Sequence, residues 1–555
     1  MSSRHVTRWA ALVGVLCALV ALAVAEAVAA IMVLPASSPL FAVGSFVIDI
    51  VPGWFKTAVI ALFGTNDKDV LLVVLAVVVL AIAAVVGWLQ FTRAPWGVVL
   101  LVAVGGFATL AASTRADASR FWAIPSLLGT LAGTLVLRAV IHRLRAWAEA
   151  DAQRAMRSPT MRGATTSSST TVRSTTVSSA PVSSTPPRST PRGEAARIAL
   201  TRRRFFIMLG GTAAGALVVG LGARAFNATT AAVNTVREAL TLPKATTAEA
   251  AIPAGAQLDI PGIAPLITAN ADFYRIDTAL QVPVIDASTW KLKIFGEVEN
   301  ELEISFNELL ALPLTEHTVT LMCVSNEVGG NLVGNATWLG YPIRELLKRA
   351  TPKPGTDMVF SRSQDGFTAS TPLAVLLEED RSSLLAVGMN GQPLPLEHGF
   401  PVRMVVPGLY GYVSATKWVV ELQVTRFADH AAYWTQRGWS DHGPVKTSSR
   451  IDVPSSGAQV KAGRVAVAGA AWAQHVGIDH VEVRVDGATW QPARLADPIS
   501  VDTWRQWVYE WDAPHGSHLL EVRATDSAGK TQSATPVPVA PNGSEGWHSV
   551  TVSVA

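Results

Sequence analysis

Residues 317–331 read HTVTLMCVSNEVGGN. A β-like run from Thr318 to Met322 meets a loop that carries Gly329 and Gly330, and Cys323 stands at the junction. Taken alone, a free cysteine reads as a small buried hydrophobe, so its meaning depends on what surrounds it. Working outward from it, between Ile252 and about Phe427, β-like runs such as WKLKIFGEV (290–298) alternate with helix-like runs such as SFNELLAL (305–312) and PIRELLKRA (342–350). That mixture predicts an α+β domain. After about Ser449 the pattern changes to short alternating strands, RVAVAGAAW (464–472), HVEVRVDG (480–487), WVYEWDA (507–513) and HLLEVRATD (518–526). Turn residues separate them, as in a β-sandwich.

Upstream the chain is lipidic. Its mean hydropathy is +0.32 and 16% of its 555 residues are charged, too apolar for a wholly soluble protein of that length. Apolar segments of bilayer length run over Trp9–Leu34, Val70–Phe91, Trp96–Ala112, Phe121–Ile141 and Phe205–Phe226. Asp49, Pro52, Gly53 and Lys56 interrupt the stretch 41–64, which reads as re-entrant or interfacial because charge in hydrocarbon is costly. Arg4 and Arg8 hold the N-terminus inside, and Arg138, Arg143, Arg145, Arg154 and Arg157 do the same for the next long loop. Arg115 and Arg120 in a short outer loop go against this bias, with Asp117 between them. The fifth span then exits outside.

Residues 158–192, rich in Ser, Thr, Pro and Arg, cannot bury enough surface to fold and read as a cytoplasmic linker. TRRRFFIMLGGTAAGALVVG (201–220) follows, in which Arg202 and Arg203 precede Phe205, Phe206 and a weakly hydrophobic span. It resembles a twin-arginine export signal retained as an anchor; the bland alternative is an ordinary positive-inside flank. The two cysteines, Cys17 in the first span and Cys323, do not suit a disulfide. Without CxxC or CxxCH, zinc fingers, iron–sulfur clusters and attached c-type haem are unsupported. The net charge of +3 comes from arginines beside apolar runs, so no nucleic-acid partner is expected.

Four blocks carry a family likeness: ITANADFYRIDTALQVP (267–283), LMCVSNEVGGNLVGNATWLGYPIRELL (321–347), DGFTASTPL (365–373) and MNGQPLPLEHGFPVRMVVPGLYGYVSATKW (389–418). Together they resemble the molybdopterin-binding domain of the sulfite oxidase family, and residues from about Tyr433 onward resemble the immunoglobulin-like dimerisation domain that follows it. The resemblance, joined to the upstream reading, gives a multidomain chain: a transmembrane helical region (1–142), a disordered linker (143–200), the signal and anchor (201–227), an α+β molybdopterin-binding catalytic domain (240–430) and an immunoglobulin-like domain (431–555). It further implies that Cys323 is the catalytic thiolate bound to molybdenum, a soft donor that suits the ion. His398, Arg403 and Lys417 match the family's cofactor-binding positions, where basic residues meet the cofactor phosphate. Arg275 is a further candidate, Ser414 or Thr416 could serve the phosphate, and Asn326 could donate to ligands on the metal.

Other residues read more simply. Arg344 is expected to pair with Glu345, Asp365 to serve a turn or support the site, and Trp338 and Trp418 to pack the core. The chain also departs from the family. Val328 occupies the place of an arginine in a CxxNxR-like pattern, Glu327 precedes it, and Phe367 stands where related enzymes carry tyrosine. A carboxylate near a dianion pocket opposes sulfite. The function expected is therefore oxygen-atom transfer on a small sulfur- or oxo-compound at the outer face of the membrane, with an S- or N-oxide reductase and a non-catalytic scaffold as alternatives. Since the spans hold no facing histidines for b-type haem, a separate cytochrome or quinone-linked partner is expected, along with the lipid bilayer and a homodimer.

Overall fold

The computed structural model describes residues 3–32, 37–52, 67–115, 121–157, 203–204, 206–211 and 235–555, with single positions at 55, 59, 62, 63 and 118. The expected linker 158–192, Arg202 and most of the fifth span lie outside the described residues. Two compact units result, Met1–Phe46 with Asp69–Asn227, and Val47–Lys68 with Ala228–Ala555.

In the first unit four helices are long and apolar enough to cross a membrane: His5–Ile31, Val70–Thr92, Trp96–Ser113 and Ala123–Gln153. They coincide with the first four expected spans. The helix that begins at Ala123 runs on to Arg157, past the boundary at 142, because AWAEADAQRAMR is built from strong helix formers. The interrupted stretch 41–64 contributes part of a helix of only 12 residues, Pro39–Ile50.

The second unit carries two layers of mixed structure and a β-sandwich. One sheet has the order Thr315–Met322, Val333–Pro342, Leu384–Met389, Gln392–Pro393, with Arg403–Val405 also paired to Leu384–Met389. Leu384–Met389 is buried at every position, as a strand covered on both faces must be. The other sheet runs Leu302–Ser305, Lys291–Gly296, Val419–Thr425, Met358–Ser363, Thr368–Pro372, with one parallel pairing, between Lys291–Gly296 and Val419–Thr425. Helix Ile343–Ala350 buries Ile343, Leu346, Leu347 and Ala350, the spacing of one helical face. Trp338 and Trp418 are almost wholly buried, as expected for core residues.

The C-terminal domain packs two sheets face to face. One holds Ser448–Val453, Gly463–Trp472, Arg505–Ala513 and Arg494–Leu495; the other holds Gln459–Val460, His548–Val554, Gly516–Asp526, Ile478–Val485 and Gln491–Pro492. It does more than follow the catalytic domain. Thr315–Met322 is an edge strand, and unpaired edge groups need cover. The Thr320 amide donates to the Asp502 carbonyl (3.0 Å) and its carbonyl accepts from Gln474 Nε2 (3.1 Å). Trp472 and Trp504 join the catalytic core itself.

A charged staple crosses the same seam. His317 on the edge strand contacts Asp502 (2.8 Å) and Glu249 (3.2 Å), and His475 contacts Asp502 (3.1 Å) and Glu378 (3.8 Å). Burial opposes charge on His317, but its bonds to Asp502 and Glu249 outweigh this and push it up to about 9. A folded pKa above the unfolded value of 6.5 adds stability that is complete below 6.5 and lost as pH rises through about 9, on the order of 3 kcal/mol. The thermal midpoint is therefore expected to fall by several degrees between pH 6 and pH 9.5, and to lose most of that dependence in His317→Gln. An unchanged pH profile in the variant would remove the staple from the account.

Candidate active site

Cys323 sits immediately after the edge strand, on a loop closed by the Met322–Val333 pair. The loop is fixed from within. The Cys323 amide donates to the Leu332 carbonyl (3.0 Å), and the Asn326 amide to the Cys323 carbonyl (3.1 Å). Asn326 Oδ1 accepts from the Leu332 amide (2.7 Å). It is also held from outside by the C-terminal domain. Ser544 Oγ donates to the Asn326 carbonyl (2.7 Å), and Arg450, itself paired to Asp452 (2.6 Å), donates to the Gly330 carbonyl (2.8 Å). Gly329, at φ +79°, packs so close to the His548 ring that an added Cβ would lie 2.1 Å from it, which demands glycine on both counts.

Two tyrosines stand around the thiol. Burial pushes the Cys323 thiol up, with the Ser325 hydrogen bonds working the other way. The Tyr274 phenol, also raised by burial, lies within electrostatic reach of both Cys323 and Arg403. Tyr410, pushed up to about 12 mainly by burial, feels Cys323 as well.

Arg403 is 5% exposed. Its guanidinium donates to the carbonyls of His398 (3.2 Å), Met404 (3.3 Å) and Ala415 (3.5 Å) and lies 5.0 Å from the Trp338 ring centroid. No described carboxylate pairs with it. Burial pushes it down to about 10, so it stays charged at neutral pH. Gly399, at φ +111°, lets the Arg403 and Lys417 backbones close up: an added Cβ would meet their Cβ atoms at 3.0 and 3.1 Å.

His398 places Nε2 at 2.9 Å from the Asn270 carbonyl. A carbonyl only accepts, so Nε2 carries the proton. Burial pushes the ring down to about 4, so it is neutral and Nδ1 keeps its lone pair. Lys417 Nζ donates to Asp277 (2.6 Å) and to the Glu397 carbonyl (3.0 Å), and Arg275 pairs with the same carboxylate (3.0 Å).

Most of the expected site residues thus converge. The hydroxyls are the exception: Ser414 donates to the Tyr410 (3.0 Å) and Leu409 (3.3 Å) carbonyls and closes its own turn. Thr416 likewise bonds to Ser361 (2.7 Å). Arg344 pairs with Glu345 (3.2 Å) as expected, and Asp365 accepts from Ser363 and Thr278. Phe367 packs beside Tyr433, with ring centroids 5.8 Å apart. Sequence reading passed over Tyr274, Tyr410 and Asp277, which lie inside quoted blocks, and Arg450 and Ser544, which carry no local signal.

Comparison with known proteins points to one family. Residues 279–434 match the oxidoreductase molybdopterin binding domain and residues 448–552 a bacterial Ig domain. The mitochondrial sulfite oxidase of Macaca fascicularis is 30% identical over 345 residues, covering 52% of this chain and 62% of that protein. The uncharacterized oxidoreductase YuiH of Bacillus subtilis is 34% identical over 30% of this chain and 80% of its own length. The protein-methionine-sulfoxide reductase catalytic subunit MsrP of Burkholderia mallei is 31% identical over 44% of this chain and 73% of its own. A thiol-bearing loop in such a domain, sealed by an immunoglobulin-like partner, defines a molybdopterin-dependent oxidoreductase. The chain belongs to the sulfite oxidase family of these enzymes.

The residues fit the molybdenum cofactor that this family implies. Asn326 is 1% exposed, and its Nδ2 is buried without a partner. Arg403 is a buried cation without a carboxylate, an arrangement whose cost falls when an anion arrives. Because Arg450 positions the loop rather than touching the thiol, Arg450→Ala is expected to lower activity and bound molybdenum about 10- to 100-fold. Elemental analysis and steady-state rates would check this, and a fully loaded, fully active variant would contradict it.

Proposed function

We propose that the chain is a membrane-anchored molybdenum-cofactor enzyme that moves an oxygen atom to or from a small sulfur- or oxo-compound at the outer face of the membrane. The observation that carries this reading is the buried, carboxylate-free Arg403 beside the Cys323 loop. Cys323 is the metal's protein ligand on this reading. His398, Arg403 and Lys417 would hold the pterin and its phosphate, Arg275 is the more exposed cation beside them, and the unpartnered Asn326 Nδ2 would be free to donate to the cofactor. Ser414 serves through its turn, since its hydroxyl is already engaged. When bound, the cofactor supplies two-electron oxygen-atom chemistry. The chain supplies a neutral His398, a charged Arg403 and a loop held by hydrogen bonds from within and from the C-terminal domain.

The arginine bias of the loops supports an outer location for the catalytic domain, and four apolar helices support the anchor. The twin-arginine-like segment suits a domain that crosses the membrane already folded around its cofactor. A separate electron carrier completes the cycle, and the C-terminal domain can pair two copies besides sealing its own edge strand.

Reduction of an S- or N-oxide is the second reading. Glu327 and Val328 favour it over sulfite, because the loop that carries Cys323 bears a carboxylate and no cation, which disfavours a dianion. Purified holoenzyme assayed with sulfite as donor, then with sulfoxides and N-oxides as acceptors, decides the direction. Protein from a cofactor-competent host that contained no molybdenum would instead favour a scaffold.

A further inference from the structure

Asp277 is the centre of a cluster larger than one ion pair. Its carboxylate is 4% exposed and is met by Lys417 (2.6 Å), Arg275 (3.0 Å) and, from far upstream, Lys68. Lys68 also donates to the Ala279 carbonyl (2.7 Å). Burial would raise Asp277, but the three cations together hold it well below the usual carboxylate range. Asp365 is the nearby carboxyl, raised by burial and by Asp277. Even with Asp365 ionised, three cations face two carboxylates, and the cluster keeps an excess of positive charge.

The segment that brings Lys68 is tied down at a second point. Arg437 donates to the Asp49 carbonyl (2.8 Å), and the Tyr433 hydroxyl donates to Asp49 Oδ1 (3.4 Å). Both contacts fall inside the unit that contains the catalytic domain. The charge bias independently puts the loop between the first two spans and the catalytic domain on the same side of the membrane.

Exposure separates two kinds of cation here. Arg403 is 5% exposed and lies in the interior, where a resident group is enclosed. The Arg275 side chain is 36% exposed and that of Lys68 19%, against 9% for Lys417. Solvent therefore reaches the outer pair, as an exchangeable ligand requires. The thiol loop itself, CVSNEVGGNL (323–332), contains no cation.

We propose that Lys68 and Arg275 form a docking site for a small oxyanion, with Lys68 supplied by the segment between the first two membrane spans and Lys417 left to the cofactor. Its role as the substrate entrance rests on the oxygen-transfer reading above. Planar Arg275 suits two oxygens of the anion, and Lys68 acts as a point charge. Binding should weaken with salt, as it does for partly exposed charges.

The test uses full-length, molybdenum-loaded protein in nanodiscs and unreactive sulfate as the probe, followed by isothermal titration. Lys68→Ala and Lys68→Gln are expected to raise the sulfate dissociation constant about tenfold, with Lys68→Arg close to the parent and molybdenum content equal in all four proteins. An unchanged constant in both neutral variants, or a parent protein that does not bind sulfate, would overturn the proposal. Loss of molybdenum from the neutral variants would also overturn it, by placing Lys68 on the cofactor's phosphate. A parent that bound sulfate in this Lys68-dependent way but turned over neither sulfite nor sulfoxides would keep the anion site and sink the oxygen-transfer reading.

Discussion

Cys323→Ser is expected to lower turnover on the order of 10³-fold, about 4 kcal/mol of transition-state stabilisation, while leaving the fold in place. The two halves of that expectation come from different atoms. The backbone of residue 323 is held by Leu332 and Asn326, bonds that a serine makes equally well. The side chain makes no comparable structural contribution, so thermal unfolding should shift by no more than about 1 kcal/mol. An alkoxide is a harder donor than a thiolate and suits this metal less well. Steady-state rates on the identified substrate, paired with thermal melts, check both halves. Full activity in the variant would remove Cys323 from the chemistry.

Arg403→Met should separate function from stability in the opposite sense. In the holoprotein, removing a buried charge from an anionic group costs about 3–5 kcal/mol, or roughly 10²- to 10⁴-fold in cofactor retention. In the cofactor-free protein the same change removes a buried cation that no carboxylate neutralises. Replacing such a charge by an apolar side chain of similar volume is often neutral or stabilising, and the loss of hydrogen bonds to the His398, Met404 and Ala415 carbonyls works against the gain. The apoprotein midpoint should therefore stay level or rise, while molybdenum content falls at least tenfold. A variant whose apoprotein lost more than about 2 kcal/mol would make Arg403 a structural residue.

How much of this was legible in the chain varies with the element. The strands Ile478–Val485 and Gly516–Asp526 were readable because alternation is a local pattern, and helix Ile343–Ala350 because its apolar face recurs at helical spacing. Cys323, His398, Arg403 and Lys417 were readable from blocks whose order resembles a known family. Ser414 was readable as part of such a block, but the fate of its hydroxyl was not, since its acceptors are carbonyls presented by one particular turn.

The amino-acid sequence by itself determined the class of protein, the positions of four apolar spans in its first part, the β-character of its last part and the thiol at a strand end. Each of these depends on residues within about one element of each other. Tertiary structure alone decided that Ser544 would reach Asn326 across 218 positions, that Lys417 would find Asp277 across 140, and that Lys68 would find it across 209. Those pairings follow from how the elements pack, and a charge or hydroxyl carries no mark in the sequence of the distant partner that packing will bring to it.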